Sequence, residues 1–242
     1  MTQENKPFPY IPVLSVNNKK VKKTVVVDEV EQEVEVPAQE GFNIETRGDD
    51  KKFNREFFID KIQAVVLFDR YELKSKFGSD DFFFSNEFEY EDGKNHVRVY
   101  APMKKEVLFE GDYAEAAAHF DTGQTTKSGY PIKDFDVFAV LYISYNGKIY
   151  RFKWKMNQNC NWFDYKKNFD NKEYHTHMTD FVLSQKTAGS NTFWVCELQK
   201  GEEVNAEEMQ AEKDKALETL ASFPKPGEPK VEQEIKVDNI PF

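Results

Sequence analysis

Short runs of aromatic, β-branched and other apolar positions, separated by polar positions, recur along residues 41–200. Aromatic residues are concentrated in this stretch, and aromatic and β-branched side chains favour strands over helices. These runs predict strands at Ile62–Leu73, Phe82–Tyr90 and Val97–Tyr100, a hairpin at Val137–Met156, and a final pair around Phe181–Ser184 and Thr192–Leu198. The pattern therefore predicts a mostly β body.

One short helix interrupts the predicted strands. Asp112 is a suitable N-cap, Glu115 stands three residues later as in a capping box, and the alanine run Ala116–Ala118 follows. Three strands, a helix and further strands follow the order of an OB fold, a five-stranded and partly open barrel. We therefore expect residues 41–200 to form an OB-fold-like five-stranded barrel with extra strands.

The two ends of the chain have different patterns. Residues 1–40 contain a lysine cluster and then alternating Val and Glu from Glu29 to Val36, which predicts an extended N-terminal arm. An ordered hairpin and an arm that becomes ordered on a neighbouring molecule both remain open, so self-association is one alternative. Residues 201–223 contain an amphipathic helix at 206–221, and the polar, proline-rich residues 224–242 predict a disordered acidic tail.

The predicted hairpin has a turn that fixes its register. Asn146-Gly147 between two alternating runs is typical of a type I′ turn. The resulting pairs are Tyr142 with Arg151, Val140 with Lys153, and Phe138 with Lys155. One face of the hairpin then carries aromatic and cationic side chains together, while the other is apolar and suits the core.

Aromatic rings interleaved with cations are what single-stranded nucleic acid binding requires, because rings stack on bases and cations follow the phosphates. The hairpin face is one candidate for such a site, and the cluster after it is a second. A solvated strand face for the first, and a loop that caps the barrel for the second, are the alternatives. The candidate DNA-binding residues are Phe138, Tyr142, Arg151, Lys153, Lys155, Trp162, Tyr165, Lys166 and Lys167.

The net charge of −10 neither supports nor excludes a nucleic acid partner. Residues 201–242 hold 11 acidic and 5 basic residues, whereas residues 41–200 hold 25 acidic and 23 basic residues. A nearly neutral body can still present one basic face. The chain has two cysteines, no signal-peptide pattern and no apolar run of membrane-spanning length, so we expect a cytoplasmic protein with no membrane partner.

The chain ends with Val237-Asp238-Asn239-Ile240-Pro241-Phe242. An apolar terminus on a flexible acidic stem suits docking into another protein, with the Phe242 ring in an apolar pocket and its carboxylate on a cation. This ending resembles the C-terminal tip of bacterial single-stranded DNA-binding proteins. The resemblance implies that Asp238, Ile240, Pro241 and Phe242 recruit DNA replication and repair proteins.

The resemblance covers very little of the chain, and the stem departs from the family pattern. The family's run of aspartates is reduced to Asp238, and Lys236 interrupts the stem. The body is longer and richer in phenylalanine than the standard bacterial form, which is similar to divergent phage versions. The sequence therefore predicts a protein of a bacterium or a phage-infected cell that binds single-stranded DNA and recruits partners.

A metal site and an enzymatic activity have weaker support from the sequence. His175 and His177, with Cys160 and Cys196, do not have the spacing of a common zinc site, so we expect no metal. The sequence lacks a glycine-rich phosphate loop and the common hydrolase motifs, so we expect neither an enzyme nor a cofactor. The alternative functions are a β-rich phage structural or adaptor protein without nucleic-acid binding, and a nuclease of DNA metabolism.

Overall fold

The computed structural model describes residues 11–18, 20–27, 30–36, 39–47, 52–58, 61–76, 79, 81–91, 93–156, 161–170, 173–189 and 191–222. Within these ranges the chain forms fifteen strands and three α-helices. The fold is mostly β, which confirms the predicted class at this level. None of the described helices is long and apolar enough to cross a membrane.

The elements follow one another in a strand-rich order. The first nine strands are β1 (Val13–Val16), β2 (Val21–Val27), β3 (Val30–Val36), β4 (Phe42–Arg47), β5 (Phe53–Phe58), β6 (Ile62–Ser75), β7 (Phe84–Ser85), β8 (His96–Ala101) and β9 (Glu106–Asp112). They are followed by α1 (Tyr113–His119), β10 (Asp121–Thr125), β11 (Pro131–Lys133), β12 (Phe135–Tyr145), β13 (Lys148–Lys155), α2 (Trp162–Lys166), a 3-10 turn (Tyr174–Thr176), β14 (His177–Ala188), β15 (Asn191–Glu203) and α3 (Ala206–Ala221).

Eleven strands form one sheet. Its main path runs β5-β4-β1-β13-β12-β6-β7-β8-β9, and β14 with β15 joins through the first residues of β6. β6 has 14 residues and is long enough to pair with β12, with β14 at its start and with β7 near its end. The pairs β2–β3 and β10–β11 form two separate two-stranded sheets. β6 is therefore the strand that holds the sheet together.

A side chain bridges the space between β1 and β15. The Asn18 side chain donates to the Trp194 carbonyl at 2.8 Å and accepts from the Trp194 amide at 2.7 Å. No strand pairing joins β1 to β15 among the described residues. The sheet is therefore bridged but not closed at this place.

The sheet buries apolar side chains on both faces. The larger cluster includes Leu73, Val99, Leu141 and Phe152, together with the buried Trp162 of α2. A smaller cluster lies on the other face, where α3 covers part of β6, β12 and β13. Its buried residues are Ile11, Val65, Leu67, Phe68, Val140, Tyr142 and Ala216, and Met209, Leu217 and Leu220 of α3 pack against them.

Several sequence predictions agree with the structure. The helix predicted at 206–221 is α3, and α1 begins with the predicted capping box of Asp112 and Glu115. The Val/Glu alternation forms β3, which pairs with β2 in a hairpin, so an ordered hairpin is the correct alternative for residues 21–27 and 30–36. The tail predicted at 224–242 lies outside the described residues.

Two sequence predictions differ from the structure. The strand expected at Phe82–Tyr90 is reduced to the two residues of β7 and a single bridge between Tyr71 and Phe88. The boundary expected at residue 40 does not follow the sheet, because β1 lies between β4 and β13. The first residues of the described chain therefore belong to the body and not to a separate arm.

Candidate nucleic-acid interface

The β12–β13 hairpin has the predicted register. Tyr142 pairs with Arg151, and Phe138 pairs with Lys155. Asn146 and Gly147 have positive φ angles of 49° and 69°, which the type I′ turn requires and which glycine adopts without strain. Because directly opposed residues point to the same side of a sheet, the predicted aromatic and cationic residues do share one face.

The expectation that Tyr142 lies on an exposed surface is wrong. Its side chain is 0% exposed, because α3 and Phe68 cover this end of the face. The ring stacks on Phe68 with centroids 4.5 Å apart, and the hydroxyl donates to Glu87 at 2.7 Å. A base cannot reach this ring in the structure.

The neighbouring cations form an internal ion network. Arg151 pairs with Glu87 and lies 3.8 Å from Glu72, and Lys153 pairs with Glu72. Burial lowers the pKa of Lys153, while Glu72 acts in the opposite direction. Burial also acts to lower the pKa of Arg151, but Glu87, Tyr142 and Glu72 together outweigh burial, and the net pKa is raised. These two cations are therefore largely neutralised by carboxylates of the same chain.

The second predicted cluster does not form a stacking surface. Trp162 and Tyr165 are buried, which makes their expected exposure wrong, and α2 acts as a cap over the main core. The Trp162 indole donates to Asp69 at 3.2 Å, and burial raises the pKa of Tyr165 to about 12. Neither ring is therefore open to a base.

The two lysines of this cluster face different surroundings. Lys166 turns inward and donates to the Tyr71 hydroxyl at 2.9 Å. Lys167 is exposed and pairs with Asp164 at 2.6 Å, three residues earlier on the same short helix. The second cluster therefore does not extend the hairpin face.

The other end of the hairpin face is open. There Lys155 pairs across the strands with Phe138, and Phe138 pairs with Glu72 of β6. In the adjacent row, Asp136 is opposite Lys74, Lys74 is opposite Phe84 of β7, and Phe84 is opposite Tyr100 of β8. All these residues lie on one side of the sheet, away from the larger core. We call the surface formed by Lys74, Phe84, Tyr100, Phe138 and Lys155 the outer face.

Aromatic rings form a group at one side of the outer face. The Phe84 and Tyr100 rings meet edge to face, with centroids 6.2 Å apart. Phe82, which is 44% exposed, lies 6.1 Å from Phe84, and the Lys74 ammonium lies 5.5 Å from the Phe82 ring centroid. These rings and this cation are accessible, whereas Tyr142 is not.

The charges of the outer face are nearly balanced. Lys155 pairs with Asp136 at 2.6 Å, and Arg98, two residues from Tyr100 along β8, pairs with Glu110 at 2.8 Å. Lys74 makes no ion pair within the described part of the chain. The face thus offers stacking surface with few cations that are free to meet phosphates.

Sequence reasoning found Phe138 and Lys155 of this face and missed Lys74, Phe82, Phe84 and Tyr100. The sequence did carry a signal for two of these residues, because Phe82 and Phe84 flank the buried Phe83 in a pattern with a period of two. Pairing between β6, β7 and β8 was needed to bring them beside the hairpin. Asp238, Ile240, Pro241 and Phe242 lie outside the described residues.

No group of metal-ligating side chains is present among the described residues, and Cys196 is buried. Comparison of the chain with protein-family models, curated proteins and solved structures found no match.

Proposed function

We propose that the protein binds single-stranded DNA without sequence preference and recruits replication and repair proteins through its C-terminal tip. The observation that carries this proposal is the Ile240-Pro241-Phe242 ending on an acidic stem. An apolar segment on an acidic stem suits docking into a pocket of another protein. The proposed setting is the cytoplasm of a bacterium or a phage-infected cell.

The outer face is the proposed binding surface. Single-stranded DNA offers bases that stack on rings, and each stacked base contributes about 1–3 kcal/mol. Phe82, Phe84 and Tyr100 present rings in one group, and Lys74 is beside them. On the hairpin side, Phe138 and Lys155 continue the same surface. This arrangement supports binding that depends mainly on stacking.

The strand order is compatible with an OB-like barrel as the scaffold. A long strand, β6, pairs with a hairpin on one side and with β7 on the other, and β8 pairs with β9 before α1. OB folds have this order of strands and helix, and they bind nucleic acid on the outer side of the second and third strands. The sheet of the described strands is open and does not close into a barrel, so the OB fold is itself a proposal.

The alternative is a β-rich phage structural or adaptor protein without nucleic-acid binding. The burial of Tyr142, Trp162 and Tyr165 favours it, because these rings belong to the interior and are not open to a base. The near balance of charge on the outer face also fits a protein-binding surface. The two functions make opposite predictions about DNA affinity.

The test is fluorescence anisotropy of a labelled dT oligomer titrated with wild type and the variants Phe82→Ala and Phe57→Ala. Phe57 is a matched control, because it is 41% exposed and lies on β5, far from β7 in the strand order. We expect Phe82→Ala to weaken binding about tenfold through lost stacking and Phe57→Ala to change it less than about twofold. Absence of saturable binding by wild type at low salt would leave the adaptor alternative.

A further inference from the structure

A cavity of about 280 Å³ lies between β6, residues 89–94, α2 and α3, outside the outer face. Its wall includes Tyr90, which is 39% exposed and whose ring packs on Tyr71 with centroids 4.2 Å apart. Leu217 of α3 contributes apolar surface on another side. The cavity therefore offers an accessible aromatic ring inside a concave space.

Charged groups surround the cavity, and most of them already have partners. Arg70 pairs with Glu89 at 3.0 Å, and Lys94 pairs with Glu91 at 3.1 Å. The cations of the wall are Arg70, Lys94, Lys166 and Lys213, and its carboxylates are Asp69, Glu89 and Glu91. Four cations against three carboxylates leave an excess of one positive charge.

Two donors of the wall have no partner in the part of the chain that the structure describes. Tyr174 is 1% exposed, and its buried hydroxyl oxygen makes no hydrogen bond with any described residue. Lys213 of α3 makes no ion pair within the described ranges. A buried hydroxyl without a partner destabilises a fold, so it points to a ligand that supplies an acceptor.

We propose that this cavity binds a nucleoside monophosphate. The base would lie against Tyr90, a base carbonyl would accept from the Tyr174 hydroxyl, and the phosphate would pair with Lys213. The cavity volume of about 280 Å³ is close to the lower end of the range for small-molecule pockets, which is about 300 Å³, so the space limits the ligand to one nucleotide. The ligand is either a free mononucleotide or the phosphorylated end of a DNA strand, and the second source rests on the proposed DNA-binding function.

The test is calorimetric titration of the full chain with dTMP, with thymidine as the ligand that lacks phosphate. The variants are Tyr174→Phe, which removes only the hydroxyl, and Lys213→Ala. Lys215→Ala is the matched control, because Lys215 is an exposed lysine of the same helix. We expect saturable binding of dTMP, about tenfold weakening by each of the first two variants, and less than about twofold change by the control.

Three outcomes would overturn the proposal: no saturable binding of dTMP, equal affinity for dTMP and thymidine, or wild-type affinity in both Tyr174→Phe and Lys213→Ala. Because the Tyr174 hydroxyl has no partner, Tyr174→Phe should fold normally, and Lys213→Ala provides a second readout. Comparing dT oligomers with and without a 5′ phosphate then separates the two sources of the ligand. Failure with dTMP leaves outer-face binding intact, so the two proposals fail independently.

Discussion

Tyr142 connects packing and charge within the hairpin. Its ring stacks on Phe68, and its hydroxyl donates to Glu87, which also pairs with Arg151. Replacing Tyr142 with Phe keeps the ring and removes one donor from a buried carboxylate. We expect a loss of about 1–2 kcal/mol in the free energy of unfolding, measured by urea denaturation.

The same variant separates a structural role from a binding role. Because Tyr142 is buried, Tyr142→Phe should leave the affinity for a dT oligomer unchanged. Weaker DNA binding together with unchanged stability would show that the ring becomes accessible in the complex. The buried position of Tyr142 would then not describe the DNA-bound state.

His175 gives a prediction about pH. Its side chain is 8% exposed, and burial lowers its pKa, with the charge of Lys213 acting in the same direction. The unfolded chain takes up a proton near pH 6.5, whereas the folded chain does so only at lower pH. Stability is therefore lost as the pH falls below about 6.5, because protons favour the unfolded state.

When the pH is lowered from about 7.5 to about 5.5, we expect the Tm of His175→Asn to fall less than the Tm of wild type. The measurement is Tm at the two pH values. His119→Asn is the control, because His119 is exposed at the end of α1 and should retain the wild-type dependence. An equal loss of Tm in His175→Asn and wild type would mean that other groups cause the pH dependence.

The α3 helix determines which part of the hairpin face is accessible. Its N-cap, Asn205, accepts from the amides of Glu207 at 3.2 Å and Glu208 at 3.4 Å. Loss of such a cap costs about 1 kcal/mol. Asn205→Ala should therefore lower the free energy of unfolding by about this amount, whereas Asn205→Asp, which keeps the acceptor, should remain close to wild type. If Asn205→Ala were as stable as Asn205→Asp, packing alone would hold the helix.

At the scale of elements, local patterns were sufficient where the signal is local. The turn at Asn146-Gly147 determined the hairpin register, and the capping box determined the start of α1. Coverage of the hairpin face was not predictable in this way. Ala216 of α3 reaches Tyr142 from more than seventy residues along the chain, and a period of two cannot show which face a distant helix covers.

The candidate site was predicted in part for the same reason. Alternation placed Phe138 and Lys155 on one face, and both belong to the outer face. Phe84 and Tyr100 joined them only through long-range strand pairing, which the sequence does not specify. The region of alternating aromatics was recognisable, but the particular rings that remain accessible depend on the assembled sheet.

The charge of the whole outer face predicts the effect of salt. Lys155 and Arg98 pair with carboxylates, and Lys74 is the cation of this face with no described ion pair. If binding neutralises one to three phosphates, the logarithm of the observed binding constant, plotted against the logarithm of the salt concentration, should have a slope of about −0.7 to −2. Lys74→Ala should make that slope shallower by about 0.7. A slope steeper than about −4 would place the DNA on a more basic surface.

Deletion of residues 225–242 tests the two proposed functions of the molecule together. The removed segment carries Glu228, Glu232, Glu234 and Asp238 against Lys225, Lys230 and Lys236, so its side-chain charge is close to balanced. Competition of the tail with DNA should therefore be weak, and deletion should tighten dT binding by no more than about twofold, mainly at low salt. Capture of a bacterial exonuclease of the kind that docks on such tips should be abolished, because Ile240, Pro241 and Phe242 are gone. A deletion that keeps exonuclease capture would contradict recruitment through the tip, whereas unchanged DNA affinity would argue only against competition.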